Sequence, residues 1–342
     1  MVVWYAGSMN TFEPTAGAKI VVIGGGTGSF VVLSGLKNYT HDITALVNMV
    51  DDGGSTGVLR DELGVLPPGD VRQCLVALSR SPEVRELFNY RFADGSLRGH
   101  AFGNLFLTAL EKMTGSFAEG VELASQVLQI VGRVEPITFE NVRLFLRDSN
   151  GMHMGQHEIS QLKFDGKKRP KIQLGPDAKP NPRALSAINS ADVIVIAPGS
   201  LYDSLAPTLL VSGVGKALAT AKAKKVYICN LITKPGQTDG FSVQDFASEI
   251  ERLAGYKFLD YVVYNTNKPS KRTLGSYAKD GEFAVDLPDL TDKRHYKMIG
   301  RDLLSEKISK VPKGDLIGSS RTLIRHDPDK LARQIMKIFF SW

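Results

Sequence analysis

The sequence IVVIGGGTG at residues 20–28 decides the fold. Its four consecutive apolar residues have the length of a short strand, and a strand without polar positions is typical of a parallel sheet covered by helices on both faces. The glycines that follow predict a tight turn into a helix, which apolar spacing indicates over 30–36. A second apolar strand is predicted over 43–49, so the segment forms one βαβ unit.

The same alternation of apolar strands and helices returns later in the chain. Strands are predicted over 192–196, 225–229 and 261–264, and helices over 71–79, 102–113, 118–131, 211–220, 242–254 and from Pro328. Asp70 is predicted to cap the helix over 71–79, because a carboxylate can accept hydrogen bonds from the free amides of a first turn. The expected fold is α/β: a Rossmann-like, doubly wound, mostly parallel sheet with helices on both faces.

Changes in this pattern predict the domain organisation. Residues 1–18 lack periodicity and are expected to form a flexible extension, whereas residues 19–342 form a single α/β domain. Within that domain, residues 133–175 contain short alternating stretches at 142–146, 159–164 and 171–174. These stretches predict a small β-hairpin insertion.

Composition excludes several classes of protein. The 342 residues carry a net charge of +6, but lysine and arginine are spread along the chain, and the one basic block, residues 167–171, is expected at a solvated turn, so nucleic acid is not an expected partner. No apolar stretch approaches the roughly 18 residues of a membrane span. The two cysteines, Cys74 and Cys229, lie far apart in apolar runs, which predicts free thiols and a cytoplasmic location.

Unusual residues follow the predicted strands, at the edge where parallel sheets bind ligands. Amides of the loop Gly24–Gly28 can approach a diphosphate closely, and the helix that follows favours anions. A tight strand-to-helix turn is the alternative. The dinucleotide fingerprint is incomplete, since Ser29 stands at its third glycine position, and no Walker pattern follows.

Asp51 and Asp52 follow the second strand and form a candidate magnesium site. Adjacent carboxylates repel each other, and one or two carboxylates with substrate phosphates are the usual ligands of Mg²⁺. An Asp-Gly turn is the alternative interpretation. His100 precedes the helix over 102–113 and could bind a ligand or cap that helix. His153 and His157 lack a third ligand and do not predict zinc.

Six motifs carry a family resemblance that covers roughly residues 19–341. They are Ile20–Gly28, Val50–Gly57, Leu63–Arg72, Gly99–Leu105, Ala197–Tyr202 and Asn230–Gly236. Together and in this order they resemble the YvcK-like gluconeogenesis factors of the wider CofD-like family, which includes 2-phospho-L-lactate transferase.

The resemblance implies a Rossmann-like core and one of two functions. The transferase branch moves lactyl phosphate from a nucleotide-activated donor to a deazaflavin, with Mg²⁺ near the paired aspartates. The YvcK branch binds UDP-N-acetylglucosamine and regulates cell-wall synthesis and cell shape during gluconeogenic growth, with no settled enzymatic activity. Its nucleotide-sugar contacts fall by motif on Tyr277 and Arg325. A guanidinium suits a diphosphate, and a tyrosine ring can stack on uracil.

The expected function is therefore a cytoplasmic nucleotide-sugar-binding regulator, with a Mg²⁺-dependent phospho-group transferase as the alternative and a nicotinamide oxidoreductase as a third class. The expected assembly is a homodimer without a membrane span. Candidate ligand-binding residues are Gly24, Gly25, Gly26, Thr27, Gly28, Ser55, Asn104, Gly199, Ser200, Asn230, Tyr277 and Arg325; Asp51 and Asp52 are candidate metal ligands and, in a transferase, candidate catalytic residues.

Overall fold

The computed structural model describes residues 17–164, 169–291, 293–306 and 324–341. The strands are β1 Ile20–Ile23, β2 Ile43–Val47, β3 Arg133–Pro136, β4 Arg143–Arg147, β5 Met152–Met154, β6 Lys171–Gly175, β7 Val193–Ile196, β8 Lys224–Ile228, β9 Tyr261–Asn265 and β10 Lys297–Arg301. The helices are α1 Gly26–Leu36, α2 Gly54–Leu63, α3 Gly69–Leu78, α4 Pro82–Asn89, α5 Phe102–Thr114, α6 Phe117–Val127, α7 Gln156–Gln161, α8 Pro182–Ser190, α9 Ala206–Leu209, α10 Val214–Thr220, α11 Val243–Ala254, α12 Lys271–Lys279 and α13 Pro328–Phe340. A π-helical turn, Leu201–Leu205, precedes α9.

Seven parallel strands form the central sheet, in the order β10-β9-β8-β7-β1-β2-β3. Ile20 of β1 pairs with Ile43 on one side and with Val193 on the other. All residues of β1 and β7 are buried, as continuous apolar runs predict. The chain order reverses between β1 and β7, and this is the position where an open α/β sheet binds ligands at the carboxyl ends of its strands.

Helices cover both faces of the sheet, and the predicted α/β fold is confirmed. Side chains on alternate positions of β1 enter different cores. Val22 packs in the core that contains Leu33 of α1 and Ile335 of α13, whereas Ile23 packs in the core that contains Phe246 of α11. No helix among the described residues combines the length and the apolar character needed to cross a bilayer.

The predicted β-rich insertion is present as a small antiparallel sheet in the order β5-β4-β6. Two predictions within it are wrong. The insertion was predicted to begin at residue 133, but strand β3, Arg133–Pro136, belongs to the central sheet, where it pairs in parallel with β2. Residues 156–161 of the region form the single-turn helix α7 rather than the strand predicted over 159–164. Of the basic block expected at a solvated turn, 167–171, residues 167 and 168 lie outside the described residues. The rest of that prediction is wrong, because the Arg169 guanidinium lies 4.0 Å from the centre of the Phe241 ring and Lys171 begins β6.

Two further predictions are affected by the structure. Asp70 does not cap a helix: α3 begins at Gly69 after Pro68, and Asp70 lies inside its first turn. The extension predicted over 1–18 lies outside the described residues except for Gly17 and Ala18. The backbone oxygen of Ala18 accepts a hydrogen bond from the Thr40 hydroxyl at 2.9 Å, and Ala18 is buried.

Candidate functional site

Loops from four parts of the chain line one cavity of about 250 Å³ at the carboxyl ends of β1, β7 and β8. Its walls are Gly25–Gly28 and Val31, Pro198–Ser200 and Ser204, Asn230–Ile232, and Ile324–His326. Predicted ligand-binding residues from the glycine loop, the loop after β7, the loop after β8 and the segment before α13 therefore meet at one place.

The glycine loop needs glycine because its backbone lies against neighbouring groups. A Cβ on Gly25 would lie 2.0 Å from Asp70 Oδ2, and one on Gly28 would lie 1.7 Å from the backbone oxygen of Pro198. Gly24, which also belongs to the loop, has a φ of +145° that other residues rarely adopt. Helix α1 begins at Gly26, so the amides of its first turn, which have no acceptor within the helix, lie beside the cavity.

Asn230 fixes the wall of the cavity that Pro198–Ser200 provides. Its Nδ2 donates to the backbone oxygen of Gly199 at 2.8 Å, and its Oδ1 accepts from the Gly199 amide at 3.2 Å. Both polar groups of the Gly199 backbone are therefore held by one side chain.

The segment that carries Arg325 is held on both sides. The Tyr277 hydroxyl accepts a hydrogen bond from the Ile324 amide at 2.9 Å, and the backbone oxygen of Arg325 accepts from the Ser305 amide at 2.9 Å. Tyr277 is 6% exposed and is not a surface aromatic. It lies outside the lining of the cavity and positions the segment that lines it.

His326 follows Arg325 and also lines the cavity. Burial lowers the pKa of His326 to about 4, although a hydrogen bond to the backbone of Cys229 acts in the opposite direction. The imidazole is therefore neutral at physiological pH, and Arg325 provides the positive charge of this segment.

Asp51 and Asp52 have different surroundings. Both oxygens of Asp52 accept backbone amides at the start of α7, from Gln156 at 3.1 Å and from His157 at 2.7 Å. Asp51 Oδ1 accepts from the Gly53 amide at 3.1 Å, and burial raises the pKa of Asp51 above its ordinary value.

Asp70 is the acid that shares the buried surroundings of Asp51. Its Oδ1 accepts from the Gly26 amide at 3.0 Å, and its Oδ2 accepts from Asn48 Nδ2 at 2.7 Å. Burial, together with the negative charge of Asp51, raises the pKa of Asp70 to about 7. Asp70 therefore binds the glycine loop through the Gly26 amide and lies close enough to Asp51 for their charges to interact. The sequence predicted it only as a helix cap.

Ser55 and Asn104 form a separate polar cluster that does not line this cavity. Asn104 Nδ2 donates to the Ser55 hydroxyl at 3.2 Å, and that hydroxyl lies 3.1 Å from His100 Nδ1. Asn104 Oδ1 accepts from Arg72 Nε at 2.8 Å. Burial raises the pKa of both Asp51 and Asp70, and the positive charge of Arg72 opposes part of that rise, so this cluster lies next to the two acids.

A second cavity of about 440 Å³ adjoins the first, because Asn230 and Leu231 line both. Its other walls come from Val243, the segment Tyr264–Pro269, Leu274 and the segment Ala284–Leu287. These residues were not predicted from the sequence as part of the site. The end of strand β9 at Asn265 was the available signal, since strand-end loops of one sheet share an edge.

The buried Asp70 predicts a stability that decreases as pH rises. An acid whose pKa is higher in the folded than in the unfolded protein binds its proton more tightly when folded, so stability is lost between about pH 4 and pH 7. Each pKa unit corresponds to about 1.4 kcal/mol. We expect Asp70→Asn to reduce the fall in melting temperature between pH 5 and pH 8.

The exposed Asp94 provides the matched control for this measurement. Asp94→Asn should leave the difference between the two melting temperatures as it is in the parent protein. An equal difference in Asp70→Asn and in the parent would contradict the assignment of the pH dependence to Asp70.

Comparisons with known proteins agree with this fold and with these motifs. The model of the family described as 2-phospho-L-lactate transferase CofD matches residues 20–306. A protein of Thermoanaerobacterium thermosulfurigenes is 42% identical over 332 residues, which cover 96% of this chain and 99% of that protein. The gluconeogenesis factor of Listeria innocua is 38% identical over 321 residues, covering 93% and 94% of the two chains. The crystal structure of protein BH3568 from Bacillus halodurans superposes with a TM-score of 0.84 at 38% identity, covering 93% of this chain and 99% of that one.

Proposed function

The chain belongs to the CofD family, and from this premise we propose that it is a cytoplasmic regulator that binds a nucleotide sugar of the UDP-N-acetylglucosamine type. Relatives named gluconeogenesis factors support a role in gluconeogenic growth. Control of cell-wall synthesis and cell shape belongs to the same proposal. The two buried free thiols, Cys74 and Cys229, favour a reducing compartment.

One observation carries the proposal: the first turn of α1 and Arg325 line the same cavity. The amides at a helix N-terminus bind anionic oxygens and carry roughly half a positive charge. A guanidinium presents paired donors that match phosphate oxygens. Donors of both kinds around one small cavity suit two linked phosphate groups.

The adjoining cavity provides room for a group attached to the diphosphate. The smaller cavity alone lies below the size common for ligand sites, about 300–1,000 Å³. The larger one, of about 440 Å³, lies next to it, since Asn230 and Leu231 line both. The walls of the larger one mix apolar side chains such as Leu274 and Val285 with the polar side chains of Thr266 and Asn267. This mixture suits a heterocycle and its ribose.

Titration calorimetry with UDP-N-acetylglucosamine tests the proposal. We expect saturable binding at one site per chain and a higher melting temperature. A ligand present at 100 times its Kd stabilises the folded protein by about 2.7 kcal/mol. UDP should bind more weakly, and NAD should not compete. The absence of both heat and a thermal shift with UDP-N-acetylglucosamine would overturn the proposal.

The alternative function is a Mg²⁺-dependent phospho-group transferase, and the adjacent carboxylates Asp51 and Asp52 favour it. Burial and then the negative charge of Asp52 raise the pKa of Asp51, and carboxylate oxygens are ligands that suit Mg²⁺. No group of three or more His, Cys, Asp or Glu in the described ranges is arranged to hold a metal ion. Mg²⁺ with few protein carboxylates usually relies on substrate phosphates as well. Asp51 and Asp52 would hold the ion, which would neutralise charge on the transferred group.

Transfer assays with a deazaflavin acceptor separate the two functions. A transferase should lose its product formation in Asp51→Asn, whereas a binding protein gives no product in either form at any Mg²⁺ concentration. A homodimer remains part of the proposal and is tested by sedimentation of the purified chain.

A further inference from the structure

Lys234 lies in the loop that follows β8, four residues after Asn230, which lines the smaller cavity. Its Nζ donates to Asp203 Oδ1 at 2.9 Å and to the Ser200 hydroxyl at 3.2 Å. Ser200 lines the cavity and also donates to Asp203. The ammonium group is therefore one side chain away from the space that the diphosphate would occupy.

Burial differs between the two members of this ion pair. The Asp203 side chain is 10% exposed, and it lies in the π-helical turn Leu201–Leu205, whereas the Lys234 side chain is 31% exposed. A lysine ammonium has three N–H donors. The described residues provide acceptors for two of them, Asp203 and Ser200. The long, flexible stem of Lys234 allows the ammonium to turn from Asp203 toward the cavity.

The charges around the cavity give this cation a role. A bound diphosphate brings more negative charge than Arg325 and the helix N-terminus balance, since a helix N-terminus contributes only about half a unit. Lys234, whose Nζ lies 3.2 Å from the Ser200 hydroxyl, can supply a further positive charge.

We propose that Lys234 is a second phosphate-binding cation of this site, held by Asp203 and Ser200 in the free protein and shared with a phosphate oxygen of the bound ligand. The inference rests on the proposed binding of a nucleotide sugar. It assigns Asp203 a restraining role, because the carboxylate attracts the ammonium group away from the ligand.

Calorimetry with UDP-N-acetylglucosamine tests the role of Lys234. Lys234→Met should weaken binding about 10- to 100-fold, the range for losing one hydrogen bond from a charged group. Lys234→Arg should restore most of the affinity. The weakening of binding by added NaCl should be less steep in Lys234→Met, because one ionic contact has been removed. A purely structural role would leave that salt dependence unchanged.

Lys225 provides a matched control. Its Nζ lies 3.0 Å from Asp260, a similar ion pair at the opposite end of β8. Lys225→Met should bind UDP-N-acetylglucosamine like the parent. Asp203→Asn should bind it about 2- to 10-fold more tightly than the parent, since a neutral amide restrains the ammonium less than a carboxylate does.

The outcomes separate this inference from the proposed function. If the parent does not bind UDP-N-acetylglucosamine, both are overturned. If the parent binds and Lys234→Met binds equally well, only the role of Lys234 is overturned. If Lys234→Met binds more weakly with an unchanged salt dependence, Lys234 supports the loop structurally and does not contact phosphate. Weaker binding by Asp203→Asn would overturn the restraining role.

Discussion

Gly28→Ala is expected to lower the free energy of unfolding by about 3 kcal/mol or more and to remove nucleotide-sugar binding. Its Cβ would lie 1.7 Å from the backbone oxygen of Pro198. Because that oxygen belongs to the main chain, no side-chain rotation relieves the overlap, and α1 must move away from the loop after β7. Overpacking of this kind typically costs about 1–3 kcal/mol, occasionally more. Urea unfolding and calorimetry measure the two losses.

Gly275→Ala provides the control for this prediction. Gly275 lies in α12, and a Cβ there would meet no atom within 4 Å. Alanine in an exposed helix is more favourable than glycine by roughly 0.5–1 kcal/mol, so Gly275→Ala should be slightly more stable than the parent. If Gly28→Ala were as stable as the parent, the close approach between α1 and the loop after β7 would be wrong.

Arg325→Ala is expected to weaken the binding of UDP-N-acetylglucosamine by about 100-fold or more. Removing one partner of a hydrogen-bonded charge pair inside an interface costs about 2–5 kcal/mol. Arg325→Lys should recover only part of the affinity, because an ammonium lacks the paired donors of a guanidinium. Calorimetry gives the affinities, and melting temperatures show whether each variant remains folded.

An arginine far from the site completes this experiment. Arg147 is exposed on β4 of the small antiparallel sheet, and Arg147→Ala should bind like the parent. Unchanged affinity in Arg325→Ala would place the diphosphate elsewhere. The combination of α1 and Arg325 would then no longer support the proposed function.

The central strands could be predicted from the sequence because they are buried on both faces. The apolar runs of β1, β7 and β8 predict strands without information about which strands pair with them. The edge strands β3 and β10 could not be predicted in this way. Their sequences, RVEP and KMIGR, mix charged residues with proline or glycine, and they take strand form through pairing with β2 and β9. Pairing with a strand distant in sequence stabilises these segments, although their own residues do not favour a strand.

For similar reasons, some residues of the candidate site could be predicted from the sequence and others could not. The glycine loop, Ser200 and Asn230 follow strands, and strand ends of one sheet share an edge, so their meeting could be expected. Arg325 came from the family resemblance alone. Asp70 was misassigned because a carboxylate near a helix start is usually a cap, and only the fold brings it against the Gly26 amide. Lys234 lies within the motif Asn230–Gly236, but the motif alone did not assign it a ligand contact.

The position of β1 beside β7 has a consequence for synthesis on the ribosome. The Lys19 amide donates to Asp192, 173 residues further along the chain, at 2.8 Å. A nascent chain that has not reached β7 therefore exposes the apolar edge of β1, a segment prone to aggregation. Arg325 emerges later still, so an interrupted translation product has no complete ligand site. Chaperone capture of such fragments should accordingly decline once the segment that contains β7 has left the exit tunnel.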